Sequence, residues 1–135
     1  MSLFVDTSVW SSAFRRDAPT GTKEISALRQ GLEAGDPLYA TGLVLQELLQ
    51  GFQGPKARQQ ILDRFSALPL ISPDPEDHIS AAELRNRCRR AGLQIGTIDA
   101  LLAQLCIRHD LQMLTSDGDF KRMTKHCPLK VWPGG

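Results

Sequence analysis

No stretch of this sequence approaches the roughly 18 consecutive apolar residues that a membrane helix needs, so no transmembrane segment is expected. Cysteine is scarce. Cys88, Cys106 and Cys127 are the whole set, an odd number without a C-x-x-C pair, which suggests neither a disulfide framework nor a zinc site. His78, His109 and His126 also lack ligand spacing. An excess of one charge is missing too. Sixteen Lys and Arg stand against 15 Asp and Glu, for a formal net charge of +1. That balance argues against a surface built wholly to bind polyanions, while leaving room for a local basic rim. Repeats, low-complexity tracts and linkers are absent. Met1 to Val5 reaches Asp6 without a charged segment and long apolar core, so a signal peptide is not expected and a cytoplasmic protein is.

What is present fits one domain over residues 1–135. The chain is 41% hydrophobic and 23% charged, and a domain of this size buries enough apolar surface to fold without disulfides.

Short apolar runs alternate with helical patterns. Leu3-Phe4-Val5 predicts a buried strand, and Asp6-Thr7-Ser8 can cap a helix through Val9, Trp10 and Phe14. A second helix is expected over 20–33, broken by Gly35-Asp36-Pro37, before a strand over 37–40. Thr41 can cap a helix to Gly51, and Pro55 suits the first turn of another that ends near Phe65. A third strand is expected at 68–72, a long helix at about 76–91 stopped by Gly92, and a strongly periodic helix at 96–109. A fourth strand at 111–115, a short helix at 117–126 and a fifth strand at 129–132 follow. This alternation predicts βαβ units and a parallel sheet covered on both faces.

Four acids are awkward as ordinary surface residues. Asp6 and Asp117 each follow a predicted strand, and functional sites of parallel sheets gather at that end. Asp99 lies near the start of the periodic helix, on the side of Leu102, Ala103 and Cys106. Glu47 falls among Leu43, Val44 and Leu48 on its own helix. Each has a bland explanation, as a helix cap, a helix-dipole partner or a stripe-edge residue whose stem covers apolar surface. Their combination is what points to a site. Carboxylates brought together repel, and a divalent cation with a preference for hard oxygen ligands relieves that conflict. Asp119 is a fifth acid that could support the cluster, though it also suits the first turn of the last helix. Thr7 and Thr115 could orient a carboxylate or a water through their hydroxyls, or serve as plain capping and strand-end residues. Arg15, Arg16, Lys121, Arg122 and Lys125 follow the two strand-end acids and could form a cationic rim for phosphates, or simply a solvated face.

Four stretches resemble the PIN domain, most closely the VapC-type toxins of type II toxin–antitoxin pairs. They are Leu3-Phe4-Val5-Asp6-Thr7-Ser8-Val9-Trp10, Leu45-Gln46-Glu47-Leu48, Ile95 to Ala103 around Thr97-Ile98-Asp99-Ala100, and Leu114-Thr115-Ser116-Asp117-Gly118-Asp119-Phe120. The resemblance spans nearly the whole chain in order. It implies a three-layer α/β/α sandwich around a five-stranded parallel sheet, Mg²⁺- or Mn²⁺-dependent endoribonuclease activity, dimerisation, and inhibition by a VapB-like antitoxin. It also implies that Asp6, Glu47, Asp99 and Asp117 form the catalytic cluster. Asp6, Asp99 and Asp117 are the expected metal ligands, and Glu47 could orient the attacking water or act as general base.

Other readings stay open. A PIN-like module could bind RNA or protein without cutting it. A phosphoryl-accepting receiver would need its first acid later in the chain and a well-placed Lys, and a structure-specific DNA nuclease would need additional elements. The helices between Gly42 and Phe65 carry Leu43, Leu45, Leu49, Phe52, Ile61, Leu62 and Phe65. They could supply a dimer interface, an antitoxin groove or ordinary core.

Overall fold

The computed structural model describes residues 2–15 and 22–133. In chain order the elements are β1 (Leu3–Val5), α1 (Thr7–Phe14), α2 (Lys23–Ala34), β2 (Leu38–Tyr39), α3 (Gly42–Gly51) and α4 (Pro55–Ser66). They continue with α5 (Pro75–Arg90), α6 (Thr97–Arg108), β3 (Gln112–Leu114), α7 (Gly118–Met123) and β4 (Lys130–Val131). The strands form one parallel sheet in the order β2-β1-β3-β4, flanked by helices. β1 and β3 are therefore central neighbours, with Val5 opposite Leu114. Both chain directions are the same, so the residues that follow these strands, Asp6 and Thr115, emerge side by side.

Local sequence explains most boundaries. The Thr22 side chain accepts from the Ile25 N–H to start α2, and Gly35 ends it in the left-handed region at φ 71°. Thr41 caps α3 through the Val44 N–H. Asp74 and Asp77 form a reciprocal capping box at the start of α5. The expected helix over 20–33 is observed from Lys23; residues 16–21 lie outside the described residues.

The expected strand over 68–72 is reduced to one parallel bridge between Ala40 and Leu70, so the sheet has four strands among the described residues rather than five. The Ala40 N–H donates to the Pro69 carbonyl at 3.2 Å and the Ile71 N–H to the Ala40 carbonyl at 2.8 Å. Pro69 has no N–H to extend that ladder, and Pro73 closes the segment a few residues on.

Phe4, Val5, Met113 and Leu114 are fully buried, which is what a central strand pair covered on both faces requires. Burial of each such side chain stabilises the fold by about 1.5–3 kcal/mol. α6 is apolar almost all round, burying Ala100, Leu101, Leu102, Ala103, Leu105 and Cys106. Of the apolar residues on α3 and α4, Val44, Leu48, Ile61 and Phe65 belong to the core, while Leu43, Leu45, Leu49 and, just beyond α3, Phe52 are only partly buried. All three cysteines are free thiols. Burial, then the nearby Asp6 charge, pushes the Cys106 thiol far up, which makes it a core filler. Among the described residues no helix is long and apolar enough to cross a membrane.

Candidate active site

Asp6 stands at the N-cap of α1, directly beyond β1, and its side chain makes no capping bond. Its backbone N–H donates to the Leu114 carbonyl at 2.9 Å, continuing the β1–β3 pairing by one step. The carboxylate is buried, at 6% exposure. Its Oδ2 accepts from Ser8 Oγ at 2.8 Å and from Thr115 Oγ1 at 2.9 Å. Both hydroxyls are used twice. Thr115 Oγ1 accepts from the Asp117 N–H at 3.0 Å, and Ser8 Oγ accepts from the Ser116 N–H at 3.0 Å. Two short polar side chains thus lock the loop after β3 onto the end of β1. They also satisfy a buried charge that would otherwise be costly.

Asp117 is the N-cap of α7, its Oδ1 accepting from the Asp119 N–H at 2.9 Å. The capping role anticipated for this residue is met without removing it from the cluster. Asp119, in the first turn of the same helix, pairs with Arg122. Asp99 enters from the first turn of α6. One carboxylate oxygen from each of Asp99, Asp117 and Asp119 lies within 4.8 Å of the others.

Asp6 is not one of these three, but its charge acts on Asp99. Burial comes first and the charges of Asp6, Asp117, Asp119 and Glu47 follow in pushing the Asp99 carboxyl up to about 6. Asp6 exerts the largest of those four repulsions. Side chains from the beginning, middle and end of the chain therefore share one electrostatic field. Glu47 differs in being exposed, and its carboxylate accepts from Thr7 Oγ1 at 3.0 Å.

The basic residues are placed unevenly. Arg15 is exposed at the end of α1, and Arg16 lies outside the described residues. Lys121 lines a surface depression with Thr124, Lys130 and Trp132 that includes none of the acids. Arg122 alone touches an acid of the cluster, among the described residues. Ser8 was not singled out from the sequence, where it reads as part of a capping triplet. Its signal is the spacing Asp6-x-Ser8, which lets a helical hydroxyl at the second position turn back on the strand-end acid.

The donor set suits a hard divalent ion. Oxygen ligands of one Mg²⁺ sit about 2.0–2.1 Å from it, so two of them are at most about 4.2 Å apart. The three carboxylates, with oxygens within 4.8 Å of one another, come close to that limit.

No curated protein matches the chain. Solved structures do. The chain is similar to VapBC2 from Rickettsia felis bound to a promoter DNA fragment, with TM-score 0.76, 22% identity and 98% coverage of both chains. It is similar to VapBC-1 from nontypeable Haemophilus influenzae, with TM-score 0.75, 19% identity, and coverage of 99% of this chain and 98% of the other. It is also similar to VapC20 of Mycobacterium tuberculosis, a sarcin–ricin loop cleaving toxin, with TM-score 0.69, 21% identity, and coverage of 89% and 93%. These likenesses establish a shared fold. The PIN domain profile matches residues 3–126, a span from the first residue of β1 to beyond α7 that takes in every acid of the cluster. The chain belongs to the PIN-domain family.

Proposed function

We propose that this protein is the toxin of a type II toxin–antitoxin pair, a cytoplasmic, Mg²⁺- or Mn²⁺-dependent endoribonuclease. The observation that carries this reading is the convergence of Asp99, Asp117 and Asp119 within 4.8 Å, under the field of Asp6. The same fold in VapC20, a toxin that cleaves the sarcin–ricin loop, supports RNA as the substrate class.

Asp6, Asp99 and Asp117 are the metal ligands in this reading, and Asp119 is a fourth carboxylate for the same ion. When bound, the ion supplies Lewis-acid chemistry, lowering the pKa of water and offsetting charge on the scissile phosphate. The chain's own residues supply position. Ser8 and Thr115 fix the Asp6 carboxylate, and the Asp117 cap fixes the start of α7. Glu47, exposed and held by Thr7, orients the attacking water and accepts its proton. The water oxygen forms a bond to phosphorus as one ester P–O bond breaks, and the leaving oxygen takes a proton from solvent. Arg15, Arg16, Lys121 and Arg122 are the RNA-contacting candidates. Loss of the Arg15–Arg16 pair to Ala should weaken RNA binding and flatten its salt dependence.

Two surfaces suit partners. Phe14 and Phe52 are the outer members of an aromatic row from α1 and the end of α3 onto the buried Trp10 and Phe65, with neighbouring ring centroids 5.0–6.2 Å apart. Phe14 and Phe52 border an open cleft of about 380 Å³ with Lys56, Ala57 and Gln60. This is the surface we assign to a VapB-like antitoxin, since VapBC complexes share the fold. A second groove of about 320 Å³ lies between Leu43, Ala81, Arg85, Ile98 and Leu101. Ile98 in the groove is 41% exposed and Ile79, on α5, is 51% exposed, and this face suits a homodimer.

The test is purified protein with Mn²⁺ and total RNA, beside Asp99→Asn. Cleavage with defined ends by the wild type alone supports the reading. Equal RNA decay in both samples would point to a contaminating nuclease and to a non-catalytic PIN module. For the dimer, light scattering at micromolar concentration should give twice the monomer mass for wild type and the monomer mass for Ile98→Glu.

A further inference from the structure

The acids of the cluster differ in what already holds them. Asp6 is held by two hydroxyls, Asp117 by a backbone N–H and Glu47 by Thr7. None of these partners carries a charge. Asp119 is the exception, because its Oδ1 is paired with the Arg122 guanidinium one helical turn along. That oxygen belongs to one of the three carboxylates that converge within 4.8 Å.

The guanidinium has a prepared resting place. A Cβ added at Gly118 would stand 3.2 Å from Arg122 Nη1 and 3.6 Å from Nη2. The bare backbone of Gly118, between Asp117 and Asp119, thus lets the cation lie flat against the loop that carries two of the acids. The contact is also easily undone, since the Arg122 side chain is 60% exposed. An exposed pair of this kind is weak, so a cation of higher charge can compete with it for the carboxylate.

We propose that Arg122 is a built-in counter-ion for Asp119 that a divalent ion must displace, so that the protein's own cation sets a threshold for metal loading. The inference rests on the metal-site reading above. Arg122 is here a positioning residue. It holds Asp119 in the metal-free protein and is set free toward solvent when the metal binds. An opposite role is physically available, in which Arg122 pre-orients Asp119 and helps the metal in. The two differ in sign.

The experiment is Mn²⁺ titration of the full chain by calorimetry, for wild type, Arg122→Gln and Gly118→Ala, with circular dichroism to show that each is folded. Arg122→Gln is expected to bind Mn²⁺ about two- to fivefold more tightly, the range that an exposed ion pair converts to. Gly118→Ala, which pushes the guanidinium from its seat, should shift affinity in the same direction by less. A second readout needs no variant. The Arg122 side-chain N–H signals of ¹⁵N-labelled wild type should move on saturation with Mg²⁺. Weaker or unchanged Mn²⁺ binding by Arg122→Gln, or Arg122 signals that stay put while Mg²⁺ binds, would overturn the proposal and leave the metal site standing. A wild type that binds neither ion would overturn the metal site and this inference together.

Discussion

Thr115 Oγ1 donates to the Asp6 carboxylate at 2.9 Å, across a separation of 109 residues in sequence. The two side chains are 3% and 6% exposed, and the same hydroxyl accepts from the Asp117 N–H. Replacing it with an apolar group of equal shape leaves a buried carboxylate one donor short and an N–H without its acceptor. Thr115→Val is expected to cost about 1.5–3 kcal/mol of stability in urea unfolding and to lower RNA cleavage. Thr115→Ser keeps the oxygen and should recover most of both. A Thr115→Val protein that unfolds at the wild-type urea concentration would show that this bond is not what joins the two strand ends.

A second prediction concerns Asp99. Its carboxyl lies at about 6, against an ordinary 3.8. Between those values the folded chain holds a proton that the unfolded chain has released. The stability that the neutral form provides is present below the ordinary value and is lost as pH rises through about 6. Asp99→Asn keeps the shape and removes the charge. It should stabilise the metal-free protein by about 1 kcal/mol at pH 7, after discounting for solvent screening, and by much less at pH 4. Denaturant unfolding at the two pH values, in chelator, checks this. Equal gains at both would mean that charge repulsion is not the cause.

The same titration sets the pH dependence of metal binding. A protonated Asp99 is a poor ligand, so the rise in melting temperature with Mn²⁺ should be large at pH 7.5 and small at pH 5. In Asp99→Asn it should be small at both. A pH-independent rise would remove Asp99 from the ligand set.

Much of the fold could be read from the sequence. Leu3-Phe4-Val5 and the run from Leu111 to Thr115 announced strands because a strand buried on both faces is rich in apolar residues, while their central place came only from the fold. The pattern before His109 announced α6 for a different reason, the recurrence of apolar residues at helical spacing. Leu68 to Ser72 misled, because apolar content suggests a strand while Pro69 lacks the N–H to extend one. At the site, strand ends and helix faces pointed to Asp6, Asp99 and Asp117. What local spacing cannot provide is the relative distance of side chains on different elements. Asp119 reads from the sequence as a fifth, supporting acid or a plain first-turn acid, and only the fold brings its carboxylate within 4.8 Å of Asp99 and Asp117. Arg122 looked like one of several rim cations, and only the three-dimensional contact separates it from Lys121.

A last prediction tests a structural pair away from the acids. Asp77 is 1% exposed, closes the capping box of α5 and bonds Arg108 of α6 at 2.8 Å. Burial raises its pKa, but the Asp74 backbone N–H and the Arg108 hydrogen bond and charge outweigh that and hold the carboxyl below its ordinary value. The stability it gives is present above that ordinary value and is lost as pH falls toward the lowered one. Arg108→Ala strands a buried carboxylate and should cost about 3 kcal/mol. Asp77→Ala leaves only a half-exposed guanidinium and should cost less, about 1–2 kcal/mol for the lost cap and bond. Urea unfolding of the two variants checks the order, and the reverse order would mean that the pair is held by something other than the buried acid.

The neighbourhood of β1 and β3 has a consequence for biosynthesis. Synthesis runs from Asp6 toward α7, so Asp6 leaves the ribosome 111 residues before Asp117 and 113 before Asp119. A polypeptide released before position 117 has neither the third strand's closing loop nor two of the three convergent acids. Translation interrupted before that position therefore yields fragments without the acid cluster, and no earlier product can assemble it.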